Sequence, residues 1–212
     1  KNKLIHLVYG KASFKDSQTV AVQAEDGSTS EISSDYIIIA TGSHSAMLPI
    51  PGTDLEGVIT SREILSIDHV PQRLCVIGAG VIGLEFASVF SSFGSEVTVL
   101  EYCKDVLPRF DTDMAKRLKQ ALGKRGINIE TAAQVQAIEK TEDGLQVTFL
   151  KKDKECKVLA DNVLMAVGRR PAVDTLNLAG AGIEFTPKGI VTDANMRTSV
   201  PHIFAVGDVR GG

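Results

Sequence analysis

Leu74-Cys75-Val76-Ile77-Gly78-Ala79-Gly80-Val81-Ile82-Gly83 is the stretch whose reading decides the fold, and Val97-Thr98-Val99-Leu100-Glu101 completes it. The apolar run before Gly78 suits a strand buried on both faces of a parallel sheet. Three glycines then have three separate physical jobs. Gly78 permits a tight turn, Gly80 lets a pyrophosphate approach the backbone, and Gly83 lets the next helix pack close to the strand. That helix, opening at Val81 and Ile82, offers N–H groups and the positive end of its dipole to phosphates. Glu101 follows 23 residues after Gly78 and 18 after Gly83, near the spacing of about 20 at which a carboxylate meets a ribose 2′-OH. Strand, glycines, helix and acid in register predict a nicotinamide dinucleotide site. NAD is favoured over NADP, because a 2′-phosphate calls for an arginine rather than an acid. Two plainer alternatives stand beside this one: glycines that only turn a strand into a helix, and a Glu101 that is an ordinary surface acid.

Outward from this stretch, Ile82, Phe86, Val89, Phe90 and Phe93 recur at three- and four-residue steps and predict one apolar helix stripe, with Gly94 at the C-cap. A second helix is predicted from Asp113 to Lys124, with Met114, Leu118, Ala121 and Leu122 inward, followed by Gly126 and the strand Ile127-Asn128-Ile129. Gln134–Lys140, Gln146–Leu150 and Cys156–Leu159 read as a three-stranded antiparallel meander turning at Glu142-Asp143-Gly144. Val163–Val167 reads as a buried strand that stops at Gly168-Arg169-Arg170-Pro171.

Upstream, Leu4–Tyr9, Thr19–Gln23 and Thr29–Ser33 read as strands, the last two joined by the turn Glu25-Asp26-Gly27-Ser28. Tyr36–Ala40 is predicted as a buried strand ending at Thr41-Gly42-Ser43. Pro49-Ile50-Pro51-Gly52 is a loop, and Ser61–Ile67 a short helix capped by Ser61. The pattern repeats weakly. An Asp-Gly turn, an acid, an apolar strand and a glycine occur at Asp26-Gly27, Asp35 and Ile37–Gly42, and again at Asp143-Gly144, Asp161 and Val163–Gly168. A third apolar strand, Ile203–Val206, ends at Gly207-Asp208. Such pairing points to two related dinucleotide-binding domains, one inserted in the other. The alternative is two unrelated meanders that share common hairpin chemistry.

The composition narrows the function classes. Over 212 residues, 43% hydrophobic and 23% charged content suit one or two globular domains. A net charge of −3 offers no footprint for nucleic acid or an anionic membrane surface, and no apolar run is long enough to span a bilayer. Lys1-Asn2-Lys3-Leu4-Ile5-His6 carries no signal-peptide core. Cys75, Cys103 and Cys156 are odd in number and widely spaced, which argues for a reducing, cytoplasmic setting (or an organellar matrix). His6, His44, His69 and His202 are isolated, so no metal site is expected.

With these motifs placed, the chain resembles the flavin-dependent pyridine nucleotide–disulfide oxidoreductases, and within them the dihydrolipoamide dehydrogenase branch. The resemblance rests on Ile38-Ile39-Ala40-Thr41-Gly42-Ser43, on Gly78–Gly83 with Leu84-Glu85, on Gly168-Arg169-Arg170-Pro171, and on Thr198–Asp208. Glu101 and Asp105-Val106-Leu107-Pro108-Arg109-Phe110-Asp111 pull toward the lipoamide branch. The family implies FAD and NAD as cofactors. It implies that Asp208 accepts a hydrogen bond from the flavin's ribityl chain, that Thr41, Gly42 and Ser43 lie against the same FAD, and that the backbone of Ala12 lies near its adenine end. It further implies that Gly168 faces the nicotinamide, Val135 the adenine side of NAD, and Glu85 the flavin.

Three parts of the family pattern are missing from the sequence: the first FAD glycine motif, the redox cysteine pair, and the C-terminal dimerisation region with its His-Glu pair. The chain is therefore expected to be a portion of a longer protein. An α/β fold is expected, with a Rossmann-like NAD domain at residues 68–195 flanked by incomplete pieces of an FAD domain at 1–67 and 196–212. The resemblance implies that the whole protein passes electrons from a dihydrolipoyl group through FAD to NAD. Its implied partners are a second copy of itself and the lipoyl domains of 2-oxo acid dehydrogenase complexes. The chain alone, with no catalytic residue of its own, is expected to bind NAD(H), to lose FAD and to be inactive. Two alternatives remain: another flavin disulfide reductase (NADH oxidase, coenzyme A-disulfide reductase or mercuric reductase), or a stand-alone NAD-binding or redox-sensing module.

Overall fold

A computed structural model describes residues 4–211. Two compact units divide the chain, Ser45–Gly168 and, around it in sequence, Lys1–His44 with Arg169–Gly212. These units meet at 44/45 and 168/169, while the expected domains meet at 67/68 and 195/196 (of the expected spans, residues 1–3 and 212 lie outside the described ones). Packing explains the difference. Leu48, Ile50 and Leu55 join the core of the central unit, and the Ile138 N–H donates to the Pro51 carbonyl. On the other side of the boundary, Leu176, Leu178, Ile183 and Ile190 are buried in the outer unit's core.

The outer unit begins with an antiparallel meander, β1 (Lys11–Phe14), β2 (Thr19–Gln23) and β3 (Thr29–Ser33). At the β2–β3 turn, Asp26 Oδ1 accepts from the Ser28 N–H and hydroxyl, and Gly27 takes φ +83°, so the turn chemistry read from the sequence is the chemistry present. The expected strand at Leu4–Tyr9 does not form. Its side chains are half to nearly nine-tenths exposed, whereas Phe14 of β1 is buried and its N–H donates to the Leu176 carbonyl. A core contact selects the strand, not the apolar run. Next come β4 (Ile37–Ile39) and β5 (Ser43–Ser45). The expectation of a buried strand at 36–40 holds for one face only: Ile39 is buried, but Tyr36 and Ile38 are 70% and 66% exposed.

The central unit holds β6 (Val58–Thr60), β7 (Arg73–Ile77), α1 (Val81–Ser92), β8 (Glu96–Glu101), α2 (Thr112–Lys124), β9 (Asn128–Thr131), β10 (Ala133–Thr141), β11 (Gly144–Lys151), β12 (Lys154–Ala160) and β13 (Asn162–Met165). A five-stranded parallel sheet runs in the order β6-β13-β7-β8-β9, and β10-β11-β12 form a separate antiparallel meander. Alternate residues of β7 serve two cores. Leu74 and Val76 pack with Leu84, Ala87 and Phe90 of α1 and with Leu122 of α2, while Cys75 and Ile77 pack with Ile138, Val147 and Phe149 of the meander. This sandwiching of the sheet is why β7 reads as continuously apolar.

Three expectations in this unit are corrected. In α1 the buried face is Gly83, Leu84, Ala87 and Phe90, while Val89 and Phe93 are 44% and 63% exposed and Ile82 and Phe86 half-buried. The contact of Gly83 with the Gly78 carbonyl sets the helix rotation ahead of the bulkier side chains. In α2, Met114, Leu118 and Ala121 lie outward, and Ala115 and Leu122 carry the burial. That face also holds Lys119, whose amine donates to Thr131 Oγ1; Asp111 caps the helix by accepting from the Asp113 and Met114 N–H groups. The helix expected at Ser61–Ile67 is a single 3-10 turn, Glu63–Ser66, without a Ser61 cap. Instead Glu63 reaches back and accepts from the Thr60 N–H and hydroxyl.

The chain re-enters the outer unit through β14 (Arg169–Pro171), which pairs with β5, then the hairpin β15 (Phe185–Thr186) and β16 (Gly189–Ile190). It ends with β17 (Ile203–Ala205), parallel to β4 with Ile203 opposite Ile37, and a 3-10 turn at Gly207–Arg210.

Candidate functional site

The carboxyl ends of β7 and β13 lie side by side in the central sheet, where the strand order reverses, the place at which open α/β sheets bind ligands. The glycines after β7 differ in what surrounds them. A Cβ on Gly78 would lie 2.4 Å from the Ala166 carbonyl oxygen, and its φ is +106°. A Cβ on Gly83 would lie 2.0 Å from the Gly78 carbonyl oxygen. Gly80 is the opposite case: no atom lies within 4 Å of where its Cβ would stand, and φ is −75°. Two glycines are thus demanded by the protein's own packing, and the middle one faces open space. Gly80 is also the N-cap of α1, and no side chain caps that helix end. Val81 and Ile82 open the helix there.

Glu101, at the end of β8, is only 7% exposed. That rules out the reading of an ordinary surface acid. Its Oε2 accepts from the Ala79 N–H at 2.6 Å and its Oε1 from the Cys103 N–H at 2.7 Å. The carboxylate therefore ties the glycine loop after β7 to the turn after β8. The same loop is held from its other side by the Leu107 N–H, which donates to the Ala79 carbonyl. Burial, and then a hydrogen bond from the thiol itself to Glu101, push Cys103 above its ordinary value; burial pushes Cys75, inside β7, up to about 12. Neither is a ready thiolate, and all three cysteines are free.

Of the other residues singled out from the sequence, Gly168 lies just past β13 with φ +121°, an open Cβ position, and a carbonyl that accepts from the Ala46 N–H. Glu85 is exposed on α1. Val135 is buried among Ile77, Leu100 and Phe149 at a bulge in β10, so its side chain belongs to the core.

The outer unit brings together a second group at the carboxyl ends of β4 and β17. The Ser43 hydroxyl donates to Asp208 Oδ2 at 2.6 Å. Arg169 donates from Nε to Ser43 Oγ at 2.7 Å and from Nη2 to the Ser43 carbonyl at 2.6 Å. Thr41 Oγ1 donates to the Ala172 carbonyl, and the Ala172 N–H to the Gly42 carbonyl. Gly42 and Gly207, at φ +71° and +72°, have no atom within 4 Å of a would-be Cβ. Ala12 is exposed on β1, opposite Val22. Reading the sequence for motifs misses Arg169 as the anchor of Ser43; its place in Gly168-Arg169-Arg170-Pro171 was the available signal. The Ala79 N–H was invisible, because a backbone donor has no residue-type signature. Among the described residues no group of His, Cys, Asp and Glu gathers for a metal, and no helix is long and apolar enough to cross a membrane.

Known proteins resemble this chain along its whole length. The profile of the pyridine nucleotide-disulphide oxidoreductases matches residues 1–212. The chain is 41% identical over its whole length to a dihydrolipoamide dehydrogenase of Chaetomium thermophilum, and 39% identical over 97% of its length to a dihydrolipoyl dehydrogenase of Haloferax volcanii. It covers 43% and 44% of those two proteins, so it spans less than half the length of the relatives it matches. Among solved structures it is similar to the HOCl-induced flavoprotein disulfide reductase RclA from Escherichia coli, with a TM-score of 0.87 at 36% identity over 96% of this chain and 45% of that one. It is also similar to the NADH-bound water-forming NADH oxidase from Lactobacillus brevis, with a TM-score of 0.84 at 28% identity over 93% of this chain and 44% of that one. An α/β scaffold with a parallel sheet, a glycine loop at its switch point and a profile match from end to end place this chain in the pyridine nucleotide-disulphide oxidoreductase family.

Proposed function

We propose that the central unit seats NAD in a protein that works as an FAD-dependent dihydrolipoamide dehydrogenase. The observation that carries the reading is the contrast among the glycines, with Gly80 open and Gly78 and Gly83 packed. An open glycine at an uncapped helix start suits a pyrophosphate, which the α1 N–H groups at Val81, Ile82 and Gly83 would receive. Backbone N–H groups take two of the roughly four lone-pair sites of the Glu101 carboxylate, and what the Cys103 thiol leaves of the rest suits a ribose hydroxyl. A buried carboxylate there also repels a 2′-phosphate, which favours NAD over NADP. Gly168, free of neighbours at its Cβ position, leaves room for the nicotinamide ring; Glu85 and the backbone at Val135 are the remaining contacts we assign.

The outer unit fits part of a flavin site. Gly42 and Gly207 leave space next to the Asp208 carboxylate, whose unshared lone pairs suit a ribityl hydroxyl, and Thr41, Ser43 and Ala12 would line the same cofactor. FAD, when bound, supplies the electron relay between a dithiol and the nicotinamide. This chain's residues bind and orient. The cysteine pair that would exchange electrons with a dihydrolipoyl group is not among Cys75, Cys103 and Cys156. Activity, the homodimer and lipoyl-domain partners, and the cytoplasmic or matrix setting therefore belong to the whole protein. The relatives named dihydrolipoamide and dihydrolipoyl dehydrogenase support that substrate over the NADH oxidase alternative.

The test is a calorimetric titration of the purified 212-residue chain with NADH and NADPH. NADH is expected to bind the tighter, and Glu101→Ala to move the affinity ratio about tenfold toward NADPH, an energy of about 1.4 kcal/mol. An unchanged ratio would remove Glu101 from ribose recognition. A stoichiometric yellow FAD complex of this chain would overturn the expectation that it does not retain the flavin.

A further inference from the structure

The geometry points to a second role for the Glu101 carboxylate. Besides reading the ribose, it is the positioning residue that holds the phosphate loop in its binding shape before any nucleotide arrives. The inference rests on the nucleotide-site reading above and deepens it. Glu101 is buried, and each of its two oxygens receives a backbone N–H, one from Ala79 inside the glycine loop and one from Cys103 beyond β8. Both partners are donors, so both positions require an acceptor. A carboxylate satisfies that condition and an amide does not: in Glu101→Gln the side-chain NH₂ would face one of the two N–H groups. A buried N–H left facing another donor costs far more than the loss of one exposed bond.

Around Gly80 the loop is open. Gly80 has no atom within 4 Å of its Cβ position, and α1 has no side-chain cap. Across the loop, the backbone is fixed by the Gly78 N–H on the Leu100 carbonyl, the Gly83–Gly78 contact, the Leu107 N–H on the Ala79 carbonyl, and the Glu101 carboxylate on the Ala79 N–H. Leu107 thereby orients the Ala79–Gly80 peptide. Glu101 is the one side chain among these, and it sets the direction of the Gly78–Ala79 peptide that leads into Gly80, the residue at which the pyrophosphate would approach. Nucleotide preference and loop order are thus coupled in one side chain. Replacing the acid to relieve repulsion of a 2′-phosphate would also loosen the phosphate cradle. A change of preference made at this position alone should therefore weaken both nucleotides, unless a new acceptor for the Ala79 N–H is supplied.

Glu101→Gln separates the roles, because it keeps size and removes one acceptor. Two readouts are used: backbone hydrogen exchange without ligand, and affinity for 2′-deoxyADP, which carries the phosphates but lacks the hydroxyl that a ribose reader needs. Amides 79 and 103 are followed together, because the glutamine can turn its NH₂ toward either; the one it faces is expected to exchange about 10- to 100-fold faster in Glu101→Gln, the range set by losing a charge-assisted bond. Affinity for 2′-deoxyADP is expected to fall by about tenfold. Glu101→Asp, which keeps both acceptors at shorter reach, is expected to lie between wild type and Glu101→Gln, and it stands in if the glutamine variant does not fold. Unchanged exchange at amides 79 and 103 in both variants would overturn the positioning role. Faster exchange with unchanged 2′-deoxyADP affinity would reduce Glu101 to a structural tie and overturn it as well. If wild type binds neither ADP nor 2′-deoxyADP, the nucleotide-site reading fails and the loop-positioning role with it, whereas a failure confined to the variants leaves the site intact.

Discussion

Gly78, Gly80 and Gly83 are identical in the sequence and unlike in the structure, and substitution should tell them apart. Alanine at Gly83 drives a methyl into the Gly78 carbonyl at 2.0 Å, so α1 must move off the sheet. That overpacking costs about 1–3 kcal/mol. Alanine at Gly80 meets nothing within 4 Å at an unstrained φ of −75°, so stability should change by less than about 1 kcal/mol, as for a weaker N-cap residue. Nucleotide affinity should fall in both. Urea denaturation paired with NADH titration reads the split; a Gly80→Ala chain that is as destabilised as Gly83→Ala would dismiss the open-cradle interpretation. Much of this site was legible beforehand because its signals are local, each glycine standing a fixed distance from a strand and a helix. The second bond of each functional group was not. Glu101 was readable as an acid at a strand end, but its acceptors' partners are backbone N–H groups, and Ser43 gave no sign that Arg169, 126 positions away, would grip it.

At the scale of elements, two ion pairs, Arg73–Asp161 and Lys151–Glu130, tie the meander to the parallel sheet beside their shared apolar core, and the first has a readable pH signature. Arg73, at the start of β7, donates to Asp161 Oδ1 and, from its backbone N–H, to Oδ2 at 2.8 Å, and its Nη2 reaches the Asp143 carbonyl in the β10–β11 turn at 2.7 Å. The Arg73 hydrogen bond holds the Asp161 carboxyl below its ordinary value of 3.8. A depressed native value means that the unfolded chain takes up the proton first as the pH falls. The pair's stabilisation is thus complete above 3.8 and is lost as the pH drops through the lower native value. Thermal midpoints recorded from about pH 5 to about pH 2.5 should fall less steeply in Asp161→Asn than in wild type; parallel curves would contradict the assignment. Elements themselves were read unevenly. Thr19–Gln23 and Thr29–Ser33 came out with their observed bounds because the Asp26-Gly27 turn fixes both. The faces of α1 and α2 did not, since small residues (Gly83, Ala87, Ala115) make the closest contacts and a search for bulky stripes passes over them. Val58–Thr60, three residues at the sheet edge, offers no period to detect.

For the molecule as a whole, the repeated meander-and-strand pattern corresponds to a central unit inserted in sequence between the two halves of an outer one. Within the outer unit the halves meet through the β4–β17 ladder and a shared core of Phe14, Ile39, Ile203 and Ala205. That arrangement was hard to read because the outer core depends on residues 173–190, which carry little periodicity. It also leaves β4 with β17 on one side and, among the described residues, no strand on the other, with Ile38 turned outward. The result is a matter of colloidal behaviour. An unpaired apolar strand margin is a template on which a second chain can add, so the purified polypeptide should show net attractive intermolecular forces, with light scattering per unit mass rising with concentration. A lysine at Ile38, solvated and repulsive, should flatten that rise without altering nucleotide affinity; equal scattering from both chains would place the attraction elsewhere on the surface.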